Sequence, residues 1–291
     1  MVRIADKQLM GKHLTRLNQA RSAHSRSLEQ AATGKKVLRP SDDPAAFGHL
    51  ERLKRRLAAL EETGPGRTNA RSRFQAAEAA LGQANDQIFR LRELAVMASN
   101  DAFSAENRAA LASEVDVLGE QLGQLAATKF GDAFLFGGTR TDQPPFDENG
   151  RYQGGGGGSM VALGAGHKVD LAIEGGAIFD GNQSAGAIVD DLVTALENDD
   201  TEAIAATLDR IDELEDQITQ GRAEIGVKLT RVDLADAMVD ELDFQLQKEE
   251  RDVSDADLAS VLAQLTEQER ALEVAIEVTG RSMQRSLLDV L

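Results

Sequence analysis

Four histidines and a handful of paired carboxylates are the groups in this 291-residue chain with the means to do chemistry. A metal centre or proton relay needs such groups at ligand or hydrogen-bond spacing, and His13, His24, His49 and His167 stand far apart with no partner so placed. The runs Asp42-Asp43, Asp190-Asp191, Asp199-Asp200 and Glu249-Glu250 could act as acid and base or hold Ca²⁺, yet none follows the order of an EF-hand loop. Most read as solvated helix faces, and Asp43 reads as a helix cap. Cysteine is absent, which removes disulfides, thiolate ligands and a thiol nucleophile together. The string Gly154 to Gly158 has the composition of a phosphate cradle, but no Lys-Ser or Lys-Thr follows it. It reads as a flexible loop, and its GGGGGS form even as a linker. No catalytic, cofactor-binding or metal-ligating set emerges, and the expected class is a non-enzyme.

What the chain does carry is helical periodicity, at both of its ends. Leu258, Val261, Leu262, Leu265, Leu272, Ala275, Ile276, Thr279, Met283, Leu287, Val290 and Leu291 recur at spacings of three and four, which sets them on one side of a helix. Leu14, Leu17, Ala20, Leu28 and Ala31 repeat in the same way near the start, and Gly34 stops the run as a C′ glycine would. Residues 1–60 hold thirteen Lys/Arg against five Asp/Glu, and residues 190–291 hold nine against twenty-seven, so the two ends attract. The ends are expected to pair, either as an ordinary intramolecular coiled coil or as an assembly interface that other molecules cover.

Long helices fill most of the space between. Asp43 with Pro44 opens one that runs to about Glu62, where Gly64-Pro65-Gly66 breaks it. Phe74, Ala77, Leu81, Ala84, Ile88, Leu91, Ala95 and Ala98 form a heptad seam on the next, and Ser104 opens a third carrying Leu111, Val115, Leu118, Leu122 and Leu125. Ile204, Ile211, Ile218, Ile225, Val232, Val239, Leu246 and Val253 then fall every seven residues. Ser254 and Asp257 form a capping signature ahead of the last helix, so 253–257 read as a joint, matched by 33–43 on the other strand, where Pro40 lies. Between 140 and 184 the punctuation by Pro and Gly, with weak alternation at Met160 to Leu163 and Val169 to Ile173, predicts a small β-rich insert.

The expected fold class is mainly α: a long coiled-coil-like helical bundle made from both chain ends, with a small β-rich inserted domain. Its expected parts are a terminal coiled coil of 1–33 and 258–291, a helical rod of 34–139 and 185–257, and the insert 140–184. Composition agrees, since 42% hydrophobic residues with only 4% aromatic ones suit aliphatic helix seams. A net charge of -17 argues against nucleic acid. No stretch approaches the ~18 apolar residues of a membrane span. The first residues also lack the apolar core of a cleavable signal peptide, so export would use another route.

Particular residues resemble a known family. Thr33 through Ala46, with its RPSDDPAA form at Arg39–Ala46, is similar to the signature that follows the first helix in bacterial flagellin-like axial proteins, and nearer the hook-associated junction type than filament flagellin. Asn85–Asn100 resembles that family's second long helix, Phe134–Thr139 through Pro144-Pro145-Phe146 its exit into an outer domain, and Ser286–Leu291 its C-terminus. The resemblance implies an extracellular structural subunit of the flagellum, an adaptor at the hook–filament junction with inner, middle and outer layers. The implied partners are copies of itself in a ring-like oligomer, a neighbouring hook-associated protein and flagellin, with the stripe of the C-terminal helix as the place for an export chaperone. Flagellin itself, or a cytosolic coiled-coil regulator, are the rival readings. The expected assembly residues are Leu14, Leu17, Leu28, Leu258, Leu262, Leu265, Leu272, Ile276, Met283 and Leu287. Gly34, Pro40, Asp43, Pro44 and Ser254 are the expected joint and cap residues.

Overall fold

The computed structural model describes residues 2–288 except Asp101, Glu148, Asn149 and Asn182, with the side chains of residues 2–10 and 282–288 outside the description. Eight helices and four short strands follow in the order α1 (Val2–Thr33), α2 (Pro44–Glu62), α3 (Gly64–Ala98), α4 (Ala105–Ala126), β1 (Lys129–Phe130), β2 (Ala133–Phe134), β3 (Met160–Gly164), β4 (His167–Asp170), α5 (Gly175–Phe179), α6 (Ala185–Glu197), α7 (Thr201–Ser254) and α8 (Leu258–Leu288). They gather into two compact units, one of Met1–Ala58 with Leu242–Leu291 and one of Ala59–Glu241.

The larger unit is built on the heptad seams. All eight seam residues of α3 are buried, from Phe74 to Ala98, and they meet the buried Ile204, Ile211, Ile218, Ile225 and Val232 of α7 in one core. On α4, Val115, Leu118 and Leu122 are buried, while Leu111 and Leu125 pack against the core from its margin. Ser104 caps α4 by accepting from the Asn107 N–H at 3.3 Å. Where the chain turns from α3 into α4, the buried Arg108 donates to the carbonyls of Ala98 at 2.8 Å and Asn100 at 2.9 Å and pairs with Asp199. Asp200 beside it caps α7 through the Ala203 N–H at 2.9 Å. A single residue, Thr63, separates α2 from α3, and Pro65 occupies the first turn of α3, where no N–H is missed.

The glycine-rich segment is packed rather than loose. β3 and β4 form an antiparallel hairpin with Val161 opposite Val169, and Leu163 and Val169 are buried in the helical core. β4 ends at Asp170, three residues before the expected strand of Val169 to Ile173 stops, because the Asp170 carboxylate accepts from the Ser159 and Ala172 N–H groups and turns the chain. Within the glycine string, Gly155 accepts from the Thr139 N–H and donates to the Gly137 carbonyl, each at 3.0 Å. At Gly138, with φ of +63°, an added Cβ would stand 2.0 Å from the Gly155 carbonyl oxygen. Only glycine permits that crossing, so the linker-like reading of the string is replaced by one of close backbone contact. Phe136, Phe146, Tyr152 and Phe179 pack edge-to-face or tilted beside it, with the contacting ring centroids 5.4 to 5.8 Å apart.

In the smaller unit, Val37, Leu50, Leu53 and Leu246 are buried, and His49 Nε2 lies 2.9 Å from a Glu249 carboxylate oxygen. Asp43 caps α2 by accepting from the Ala45 and Ala46 N–H groups at 3.0 and 2.9 Å, with Pro44 at the first helical position.

Candidate assembly interface

α1 and α8 pack side by side and antiparallel, Gly34 meeting Ala256 at one end and His24 lying 3.8 Å from Glu269 further along. The contact is narrower than the apolar arc. On α8 the covered residues are Val261, Leu265, Gln268, Leu272, Ala275 and Thr279, at strict heptad spacing. On α1 they include His13, Leu17, Ala20, Ala23, His24, Ser27 and Ala31, so one Leu with three alanines supplies the apolar volume from that side. Leu14, Leu28, Leu258, Leu262 and Ile276 are 41 to 54% exposed. The apolar stripe is therefore only partly covered by the helix pair. It spans a wider arc than one neighbouring helix covers, and it divides into an inner seam with Leu17, Leu265 and Leu272 and an outer row with the other five. Val274 and Val278 add to the exposed apolar surface. The side chains of Met283 and Leu287 lie outside the description, and Val290 and Leu291 lie outside the described residues.

The seam also holds a group that sequence periodicity passes over. Gln268 Oε1 is buried without a hydrogen-bond partner among the described residues, which costs about 1–3 kcal/mol. Gln268→Leu should stabilise the α1–α8 pair by ~1 kcal/mol, read as slower amide exchange along α8 in the free chain.

At the joint the two strands are clasped. Gly34 takes φ of +68°, closing α1, and its carbonyl accepts from the Ala256 N–H at 2.8 Å. The Lys36 N–H donates to the Ser254 carbonyl at 2.7 Å, completing a bridge between Lys35 and Asp255. Lys35 Nζ reaches Asp255 at 2.6 Å and Ser254 Oγ at 3.0 Å, and Lys36 Nζ donates to the Asp252 carbonyl at 2.8 Å. Ser254 is thus a clasp residue, not a cap: it ends α7 and donates to Asp255 at 2.8 Å, while Asp257 caps α8 through the Ala259 N–H. Pro40 sits exposed in the 33–43 connection, next to the turn that Asp42 holds by accepting from the Leu38 and Arg39 N–H groups. These strand contacts, which no periodicity announces, are the joint's main feature.

The Lys35 ammonium, helped by Ser254, holds the Asp255 carboxyl below its ordinary 3.8. A lowered carboxylate pKa favours the clasp at neutral pH, and that contribution is lost as pH falls through the lowered value. An NMR titration of the Asp255 carboxyl should give a midpoint below 3.8, and Lys35→Met should move it upward; an unchanged midpoint would show that the clasp does not bind the carboxylate in solution.

The paired carboxylates that opened the question of chemistry have structural tasks. Asp43 and Asp200 cap helices, Asp199 holds Arg108, Asp191 holds Arg210 at 2.7 Å and Glu249 meets His49. Among the described residues, no group of three or more His, Asp or Glu could hold a metal ion, and no helix is long and apolar enough to cross a membrane.

Residues 5–141 match the model of the bacterial flagellin N-terminal helical region. The chain is 30% identical over 274 residues to flagellar hook-associated protein 3 of Escherichia coli, covering 85% of this chain and 86% of that one. The chain belongs to that family. The Salmonella typhimurium hook-associated protein 3 is 25% identical over 301 residues, 94% of this chain and 95% of the relative. In fold, the crystal structure of Bacillus cereus FlgL matches with a TM-score of 0.62 at 22% identity, over 69% of this chain and 99% of that one. In this hook-associated protein 3 relative, the RPSDDPAA stretch becomes the turn between joint and α2, Asn85–Ala98 carries Ile88, Leu91, Ala95 and Ala98 of the buried α3 seam, and Phe134–Gly138 leads from β2 into the glycine crossing. The chain is a structural flagellar protein of mainly helical fold.

Proposed function

We propose that this chain is the adaptor at the hook–filament junction and that it assembles through its terminal helices into a ring-like oligomer between a hook-associated protein and flagellin. The supporting observation is the outer apolar row on α1 and α8, left open beside a thin seam. Each Leu or Ile that a neighbour covers contributes ~1.5–3 kcal/mol, against ~1–2 kcal/mol of backbone entropy for each residue ordered. One helix pair with a small seam is marginal on those terms, and covering the outer row tips it, so assembly and ordering of the ends become one event. Before assembly the same row on α8 is where an export chaperone would bind.

The experiment is a chain truncated to remove residues 258–291, expressed in a strain lacking its own junction protein. The truncated chain should be a helical monomer that leaves hooks bare and filament subunits in the medium. Normal flagella built from it would sink the proposal.

A further inference from the structure

In this strongly acidic chain, α2 carries a run of exposed cations. Arg52, Lys54, Arg55 and Arg56 are all exposed; Lys54 pairs with Glu51 and Arg52 leans on His49, but among the described residues Arg55 and Arg56 meet no carboxylate. Arg52 and Arg56 stand one turn apart, an arrangement that weakens their own helix. The N-terminal part of α7 shows the converse. Glu202, Asp209, Glu213 and Asp216 project from one face at spacings of seven, four and three, all exposed and without an ion pair among the described residues. Glu202 has a local reason, since it lies in the first turn of α7 and complements the helix dipole. The other three have none. α2 is tied through His49 to Glu249, near the opposite end of α7 from this acidic face.

We propose that the basic face of α2 docks on the acidic face of α7 in a second copy of this chain. This rests on the junction reading, and adds to it a contact between copies that is separate from the terminal helices. Two like-charged faces, each unfavourable alone, become favourable when juxtaposed, and charge complementarity fixes register and rejects misplaced neighbours. Repeated head-to-tail, a contact between two different patches builds a ring or an open helix of copies.

The absence of cysteine makes a clean test possible. A chain carrying both Arg56→Cys and Glu213→Cys, assembled into flagella in a strain lacking its own junction protein, is treated with a short bismaleimide. The double variant should give a ladder of cross-linked copies, and each single variant should give none. In parallel, Arg55→Glu with Arg56→Glu should abolish filaments while circular dichroism of the purified chain stays unchanged, and adding Glu213→Arg with Asp216→Arg should restore them. Filaments with no ladder, cross-links from position 56 only to flagellin or another protein, or no rescue by the second pair would overturn the charge pairing and leave the junction reading standing. Failure of the unmodified chain to restore filaments would instead defeat the junction reading, and this contact with it.

Discussion

Arg108→Met should lower the stability of the larger unit by about 3 kcal/mol, seen in urea or thermal unfolding of the whole chain. Arg108 is 4% exposed, and its guanidinium serves three acceptors from two different turns: the Ala98 and Asn100 carbonyls where α3 ends, and Asp199 where α6 hands over to α7. Met fills a comparable volume and donates nothing, so the two carbonyls at the end of α3 lose their partner and the turn loses its counter-charge. Asp199→Asn should cost much less, ~1 kcal/mol or under, because the Asp199 side chain is 46% exposed and water replaces the lost partner. A larger effect at Asp199 than at Arg108 would show that the ion pair, rather than the backbone contacts, holds this end of the unit. Lys cannot substitute, since one ammonium does not span three acceptors with the planar geometry of Arg.

This pin lies outside what the sequence makes legible, and the reason is physical. Periodicity reports which residues share a helix face, so the seams of α3 and α7 could be read from Phe74 to Ala98 and from Ile204 to Leu246 before any coordinates. It does not report what two distant turns exchange, so Arg108, in the first turn of α4, looks like any exposed helix cation. The joint shows the same limit. Gly34 and Asp43 have local signatures, a C′ glycine and an N-cap, and their conformations follow from their own types. Lys35, Ser254 and Asp255 act across more than two hundred residues of chain, and nothing near either strand signals it. Glycine misleads in the opposite direction. A run of five reads as slack because glycine permits freedom, but Gly155 lies against the Gly138–Arg140 segment, where a Cβ at Gly138 or at Gly155 would not fit.

The terminal helices divide along this line as well. Hydropathy gave the stripe of α8 its direction, but not its width relative to the covering partner, and it could not see that Gln268 belongs to the seam while Leu258, Leu262 and Ile276 do not. That division yields the sharpest expectation for the assembly. Leu265→Asp or Leu272→Asp places a carboxylate in the α1–α8 contact and should destabilise that pair by at least ~2 kcal/mol, enough to release both ends in the free chain. Amide exchange would then show α1 and α8 unprotected, while α3 and the Ile-bearing part of α7 keep their protection. Leu262→Asp changes a side chain that is already 54% exposed, so the free chain should keep its helix pair and its melting profile. In flagella, however, all three variants should fail to build filaments, because the outer row must be dry once neighbours cover it. The contrast separates two roles that a truncation merges. If Leu262→Asp assembles normally while Leu265→Asp does not, the helix pair serves only to hold the chain's own ends together, and the outer row has no part in binding copies.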